Sequence, residues 1–245
     1  MVCLRKYQIK AEGAVIRDIQ NLSKEMISRI IKQEVIANNL ANINTAGFKK
    51  DRVFQKELDS AGNRIKEDVN EVTVFQQGAL RDTGNPLDLA ISGDGFFTID
   101  IDGKQYYTRD GHFYIDSTGF LRLTNSGLVM GENGPIQING EVEIDKNGRV
   151  AVKGEEIDRI KISTFTQPYP LKKHGNTLFE ALDNAEELPA DNYSVLQGYV
   201  EESNVNPVEE MVRMMTTLRY FEADQRVLKT HDELLDKAAN QIGRV

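Results

Sequence analysis

The stretch from Asn206 to Ile242 reads NPVEEMVRMMTTLRYFEADQRVLKTHDELLDKAANQI. Met211, Met214, Leu218, Phe221, Gln225, Leu228, Asp232, Leu235, Ala239 and Ile242 follow one another at alternating steps of three and four, and eight of these ten are apolar. That spacing places them on one face of a helix in heptad register. At ~1.5 Å per residue the run from Met211 to Ile242 is about 47 Å long, against ~11–12 residues for an average helix. Its start is written into the sequence. Asn206 can cap the first free amides, Pro207 suits the first helical position, and Glu209 stands where a capping-box acid reaches back. Glu210 adds negative charge at the positive end of the dipole.

The same period recurs at the other end of the chain. Over residues 14–42, Ile16, Ile19, Ser23, Met26, Ile30, Gln33, Ala37 and Leu40 repeat it with six of eight apolar. This second helix runs into VIANNLANINTAGFKK, Val35 to Lys50, which holds Asn38, Asn39, Asn42 and Asn44 within seven residues. Asn44 and Gly47 suit the turn that ends a helix. Asn38 and Asn39 lie inside the helical pattern, where Asn is a mediocre helix former, and each offers both a donor and an acceptor. Helix termination within one chain accounts for the first pair; register-setting bonds to a neighbouring subunit account for the second.

Between the helices the pattern changes to short strands and tight turns. Val72–Phe75, Leu87–Ile91, Phe96–Ile101 and Lys161–Phe165 are β-type runs. Asp102-Gly103, Thr118-Gly119 and Asn147-Gly148 are hairpin punctuation, and Val142–Val152 reads as a complete hairpin. The expected fold class is α+β, an antiparallel all-β central domain flanked by long terminal helices that form a coiled-coil-like assembly domain. The expected boundaries are an N-terminal helix with a short extension at its start over 1–48, a polar connection over 49–70, a β-rich body over 71–200 and a C-terminal helix over 201–245. A β domain cannot hide such long apolar stripes, so the helices pair with each other, with other copies, or with both.

Composition narrows the function. A formal net charge of −8 over 245 residues disfavours nucleic acid and anionic membrane as partners. No segment approaches the ~20 apolar residues of a membrane span. MVCLRKYQIKAEGAVIRDIQ carries charges throughout and no apolar run of signal length. The single cysteine, Cys3, closes no internal disulfide. His112, His174 and His231 share no metal-ligand spacing. Asp100-Ile-Asp-Gly103 and Asp145-Lys-Asn-Gly148 lack the remaining ligands of a calcium loop and read as turns. No nucleophile elbow or phosphate-binding glycine loop is present, so no catalytic residue, metal or cofactor is expected.

Three stretches together resemble one family. VIANNLANINTAGFKKD is similar to the N-terminal signature of the flagellar basal-body rod and hook proteins. Gly84–Phe97 with Tyr107-Thr-Arg-Asp-Gly111 resembles their central domain, and Glu202–Val212 their C-terminal motif. The three occur in family order, and the length is most similar to the rod proteins, proximal or distal. The resemblance implies a structural subunit of the bacterial flagellar basal-body rod. It implies export unfolded through the flagellar type III apparatus, with no cleaved signal, and assembly into the tube that crosses the periplasm or cell wall. The implied partners are copies of the chain, neighbouring rod and hook proteins and the export apparatus, with the terminal helices as an inner coiled-coil layer and the β domain outside.

The expected assembly interface is Met26, Ile30, Ala37, Asn38, Asn39, Leu40, Asn42 and Asn44 on the first helix and its end, with Met211, Met214, Leu218, Phe221, Leu228 and Leu235 on the second. Met211, Met214 and Met215 read as adaptable core fillers. Ser23, Gln33, Gln225 and Asp232 either select register within a seam or lie at an exposed helix edge. An oligomeric β module binding a glycan or similar ligand is the alternative function, with an enzyme third.

Overall fold

The structure, a computed structural model, describes residues 2–55, 69–124 and 127–242. The chain divides into two compact units. One comprises Met1–Leu40, Asp51–Val72 and Asn206–Val245; the other comprises Ala41–Lys50 and Thr73–Val205.

The first unit holds the two long helices, α1 (Val2–Ala41) and α2 (Pro207–Ile242). α1 begins well before residue 14, where the apolar period starts. Leu4, Arg5, Lys6, Gln8, Lys10, Ala11 and Glu12 are strong helix formers, so propensity extends the helix past the reach of its hydrophobic stripe. At the head of α2, Asn206 Oδ1 accepts hydrogen bonds from the amides of Val208 (3.1 Å) and Glu209 (3.2 Å), so Asn206 is the cap and Pro207 the first helical residue. Glu209 pairs with Arg213 one turn on, at 2.5 Å. The stretch expected to be a plain connection carries structure. Asp51–Gln55 pairs with Val69–Thr73 in a two-stranded sheet, because Val53, Phe54 and Val72 supply β-forming residues among the charges.

The second unit is antiparallel β throughout its named strand pairs. Its centre is a nine-stranded sheet built around Phe96–Ile101, which is flanked by Lys104–Thr108, Leu128–Val129 and Ile162–Phe165. Alternation along Phe96–Ile101 serves both faces. Phe97 and Ile99 enter a large core with Leu89, Ile91, Leu121, Leu123 and Val150, while Phe96 joins Tyr107, Phe165 and Phe179 in an aromatic one. The turn Asp102-Gly103 has φ of 54° and 81°, the left-handed pair that a two-residue hairpin requires. Val142–Ile144 pairs with Arg149–Val152 as the expected hairpin, and Glu155–Arg159 adds a third strand.

Ala41–Lys50 and Glu201–Val205, expected in or beside the helical segments, belong to this unit. Phe48, Lys49 and Lys50 are buried in it.

Candidate assembly interface

Within the first unit, α1 and α2 meet through charged and aromatic groups. Arg29 Nε donates to Asp224 Oδ2 at 2.5 Å, and the Arg29 guanidinium stacks 4.9 Å from the Tyr220 ring centre. Met214, Thr217, Phe221, Asp224, Leu228 and His231 form the half-buried row of α2. One line of this row coincides with the expected heptad. The other lies one residue N-terminal to it, so Thr217, Asp224 and His231 replace Leu218, Gln225 and Asp232, which are exposed. The Arg29–Asp224 ion pair explains the offset, since it turns Asp224 toward α1.

The remaining expected residues divide by exposure. Met26, Leu40, Met214, Phe221 and Leu228 are half-buried; Ile30, Ala37, Asn38, Asn44, Met211, Leu218 and Leu235 are exposed; Asn39 and Asn42 are buried. Met211 and Met215 are therefore surface residues and not core fillers, and Ser23 is exposed while Gln33 is half-buried. The two buried asparagines have partners in their own chain. Asn39 donates through Nδ2 to the Asp51 carbonyl (2.9 Å) and accepts the Asp51 amide through Oδ1 (3.0 Å). An Asn inside a helix thus completes the backbone of an adjoining strand. Asn42 accepts Thr45 Oγ1 on its side chain and the Thr45 amide on its carbonyl, both at 3.2 Å, closing the turn after α1.

The second unit contains a buried ionic knot. Glu201, fully buried, accepts Lys49 Nζ and the Gly78 amide (2.9 Å) on Oε1, and Arg109 Nη1 (3.3 Å) on Oε2. Arg109 also donates to the carbonyls of Ile91 (3.3 Å) and Gly93 (2.7 Å), and its guanidinium lies 5.2 Å from the Phe96 ring centre. Lys49 Nζ donates to the Gln76 carbonyl at 2.8 Å. Burial pulls the Lys49 and Arg109 pKa values down, and the attraction of Glu201 opposes that pull on both. One carboxylate thus pairs with two cations withdrawn from water.

Three backbone features surround the knot. Gly47 has φ +67°, and a Cβ there would lie 2.2 Å from the Asp110 nitrogen; its own amide donates to the Glu201 carbonyl at 2.7 Å. Asn204 accepts the Lys50 amide at 2.8 Å and donates to the carbonyls of Val74 (2.7 Å) and Gln76 (2.9 Å). Lys173 donates to the Lys49 carbonyl at 2.8 Å from above the Phe48 ring.

Residues 26–49 match the family model described as flagella basal body rod protein, residues 90–152 the D1 domain of the flagellar hook protein FlgE/F/G, and residues 196–242 the C-terminal part of the flagellar basal body rod FlgEFG protein. The chain is 31% identical to the flagellar basal-body rod protein FlgF of Caulobacter vibrioides over 238 residues, covering 91% of this chain and 96% of that one. It belongs to the flagellar basal-body rod protein family. The FlgG proteins of Bacillus subtilis and Borreliella burgdorferi are each 32% identical, over 85% and 92% of this chain and 92% and 98% of theirs.

This rod protein is a structural subunit of the bacterial flagellar basal body, in a family of structural proteins and not of enzymes. Membership carries with it association with other rod and hook proteins of the basal body. The three matched segments meet at the ionic knot: Lys49 lies in the first, Arg109 in the second and Glu201 in the third. Sequence reasoning placed Lys49 in a polar connection and gave Arg109 and Glu201 no role. The available signal was that three charged residues sat inside or beside the three stretches that carried the family resemblance.

Proposed function

We propose that this rod subunit assembles with copies of itself through its two terminal helices, which pack against neighbouring subunits as a coiled-coil-like layer and leave the β unit outside the contact. The observation that supports this reading is the uncovered apolar surface of α2, where Val208 is 68% exposed, Met211 54% and Met215 53%. Each such side chain gains ~1.5–3 kcal/mol on full burial, and a partner helix is the surface that supplies it. Ile30, Ala37, Asn38 and Asn44 extend the same contact along the end of α1, with exposed amides suited to fixing register between copies. Neighbouring rod and hook proteins cap the stack at its ends, and the chain reaches the rod through the flagellar type III export apparatus.

Leu218→Asp puts a charge into the exposed face that assembly buries, and Leu228→Asp into the half-buried row beside it, each at a cost of several kcal/mol. The expected result is a purified chain that keeps the β signature of the native protein, with the thermal unfolding of Leu218→Asp unchanged, and cells that build no rod and do not swim. Normal motility with either change overturns the reading.

A further inference from the structure

Near the junction of α1, the strand Asp51–Gln55 and the first turns of α2, the first unit carries a groove of about 440 Å³. Val35 and Ile36 are buried beneath it, whereas Phe54, Val212 and Tyr220 are more than half exposed on its walls. The walls also hold unmet hydrogen-bonding capacity. Both carboxylate oxygens of Glu210 are buried without a hydrogen bond, with Arg213 at 3.6 Å as an ion-pair partner, and Arg52 Nε is buried without an acceptor. An apolar groove lined by the cations Arg29, Lys32, Arg52 and Arg213 against the acids Asp51 and Glu210 calls for an apolar segment edged mostly by acids.

The same chain displays such a segment elsewhere. On the distal half of α2, Leu234 is 57% exposed and Leu235 47%, and both stand among Asp232, Glu233 and Asp236 with Lys229 and Lys237 on either side. Three acids against two lysines give this segment a charge opposite to that of the groove lining, and its two leucines match the exposed apolar wall of Phe54 and Val212.

We infer that the groove of one copy receives the Lys229–Lys237 segment of α2 from a second copy. The inference rests on the reading that the terminal helices self-assemble, and it specifies their contact. Donor and acceptor surfaces occupy different parts of the molecule, so the contact is heterologous. Each added copy still presents a free groove at one end and a free segment at the other. A heterologous contact that does not close into a ring propagates as an open helical assembly, which a rod requires.

Cysteine cross-linking in flagellated cells tests this, in a Cys3→Ser background. The expected result is a ladder of oligomers from the chain carrying both Val212→Cys and Leu235→Cys, no product from either change alone, and a dimer that grows no further when the two single variants are co-expressed. Dimers from one variant alone would mean like meets like and would overturn the head-to-tail contact. Absence of product from the double variant, or a product containing a different protein in place of a second copy, overturns it as well. These outcomes leave helix-mediated assembly standing, because that reading falls only on normal motility of the Leu218→Asp or Leu228→Asp strain.

Discussion

Glu201→Gln keeps the shape of the knot and removes its only negative charge. Two cations, Lys49 and Arg109, then remain in a site where the replaced side chain was fully buried. Removing one partner from a buried ion pair costs ~3–5 kcal/mol, because the partner left behind keeps its desolvation penalty. A domain of ordinary stability has ~5–15 kcal/mol in all, so the change takes a large share of it. Lys49→Met is a contrasting perturbation at the same site. It leaves Arg109 and Glu201 balanced one to one, and the Gln76 carbonyl that loses Lys49 still receives Asn204 Nδ2 at 2.9 Å. Its cost should be nearer the ~1–3 kcal/mol of lost buried hydrogen bonds.

Urea unfolding of the full chain, followed by near-ultraviolet circular dichroism of the buried Tyr106 and Tyr107, measures both variants. With an m-value of about 2–3 kcal/mol/M, the Glu201→Gln midpoint should fall by roughly 1–2 M and the Lys49→Met midpoint by less. The double variant should be more stable than the two single costs predict by addition, since removing Lys49 relieves part of what Glu201→Gln leaves unpaired. A Glu201→Gln cost below about 1 kcal/mol, or a Lys49→Met cost equal to or above it, would refute the claim that one carboxylate holds two buried cations.

Gly47→Ala should destabilise the β unit by more than the ~1–2 kcal/mol of a left-handed non-glycine residue, because its Cβ also meets the Asp110 backbone at 2.2 Å; thermal unfolding checks this. Asn39→Ala should speed hydrogen exchange of the Asp51 amide, whose acceptor it removes, with the α2 amides unchanged as the internal control. His112 should titrate above the ordinary 6.5, since its ring hydrogen-bonds Asp110 at 3.1 Å and that bond outweighs the opposing effect of burial. A pKa raised by folding gives stability that is complete below pH 6.5 and lost as pH rises through the folded value, so the stability of the native chain should decline there and that of His112→Ala should not.

The parts of the fold that were legible depend on neighbours close in sequence. The cap at Asn206, the hairpin between Val142 and Val152 and the Asp102-Gly103 turn follow from a few adjacent residues, and each forms as read. The period of α2 was legible too, but only one line of its half-buried row, because the other is set by Arg29, 195 positions away. Lys49 and Lys50 read as the start of a polar connection because a lysine is rarely buried without a partner, and the partner of Lys49 lies 152 residues downstream. Asn39 read as a group for another subunit because nothing in its own stretch showed that residues after position 50 would form a strand beside it.

The placement of the knot bears on how a rod subunit carries load. The chain passes between the two units beside Ala41, Lys50, Thr73 and Val205, and the knot lies next to the second and the last of these crossings. Both exits are tied inside the β unit: the Lys50 amide to Asn204, Lys49 to Glu201, and the Gly47 amide to the Glu201 carbonyl. A pull on α2 enters the β unit at Val205 and meets, within four residues, bonds that cross to the N-terminal exit before any strand of the large sheet is loaded. Charge-assisted bonds with little access to water exchange poorly for solvent, so they resist such a pull better than the same contacts would at a surface. The bonds from Gly47, Lys49 and Lys50 to Glu201 and Asn204 thus hold these two segments to each other ahead of the hydrophobic core.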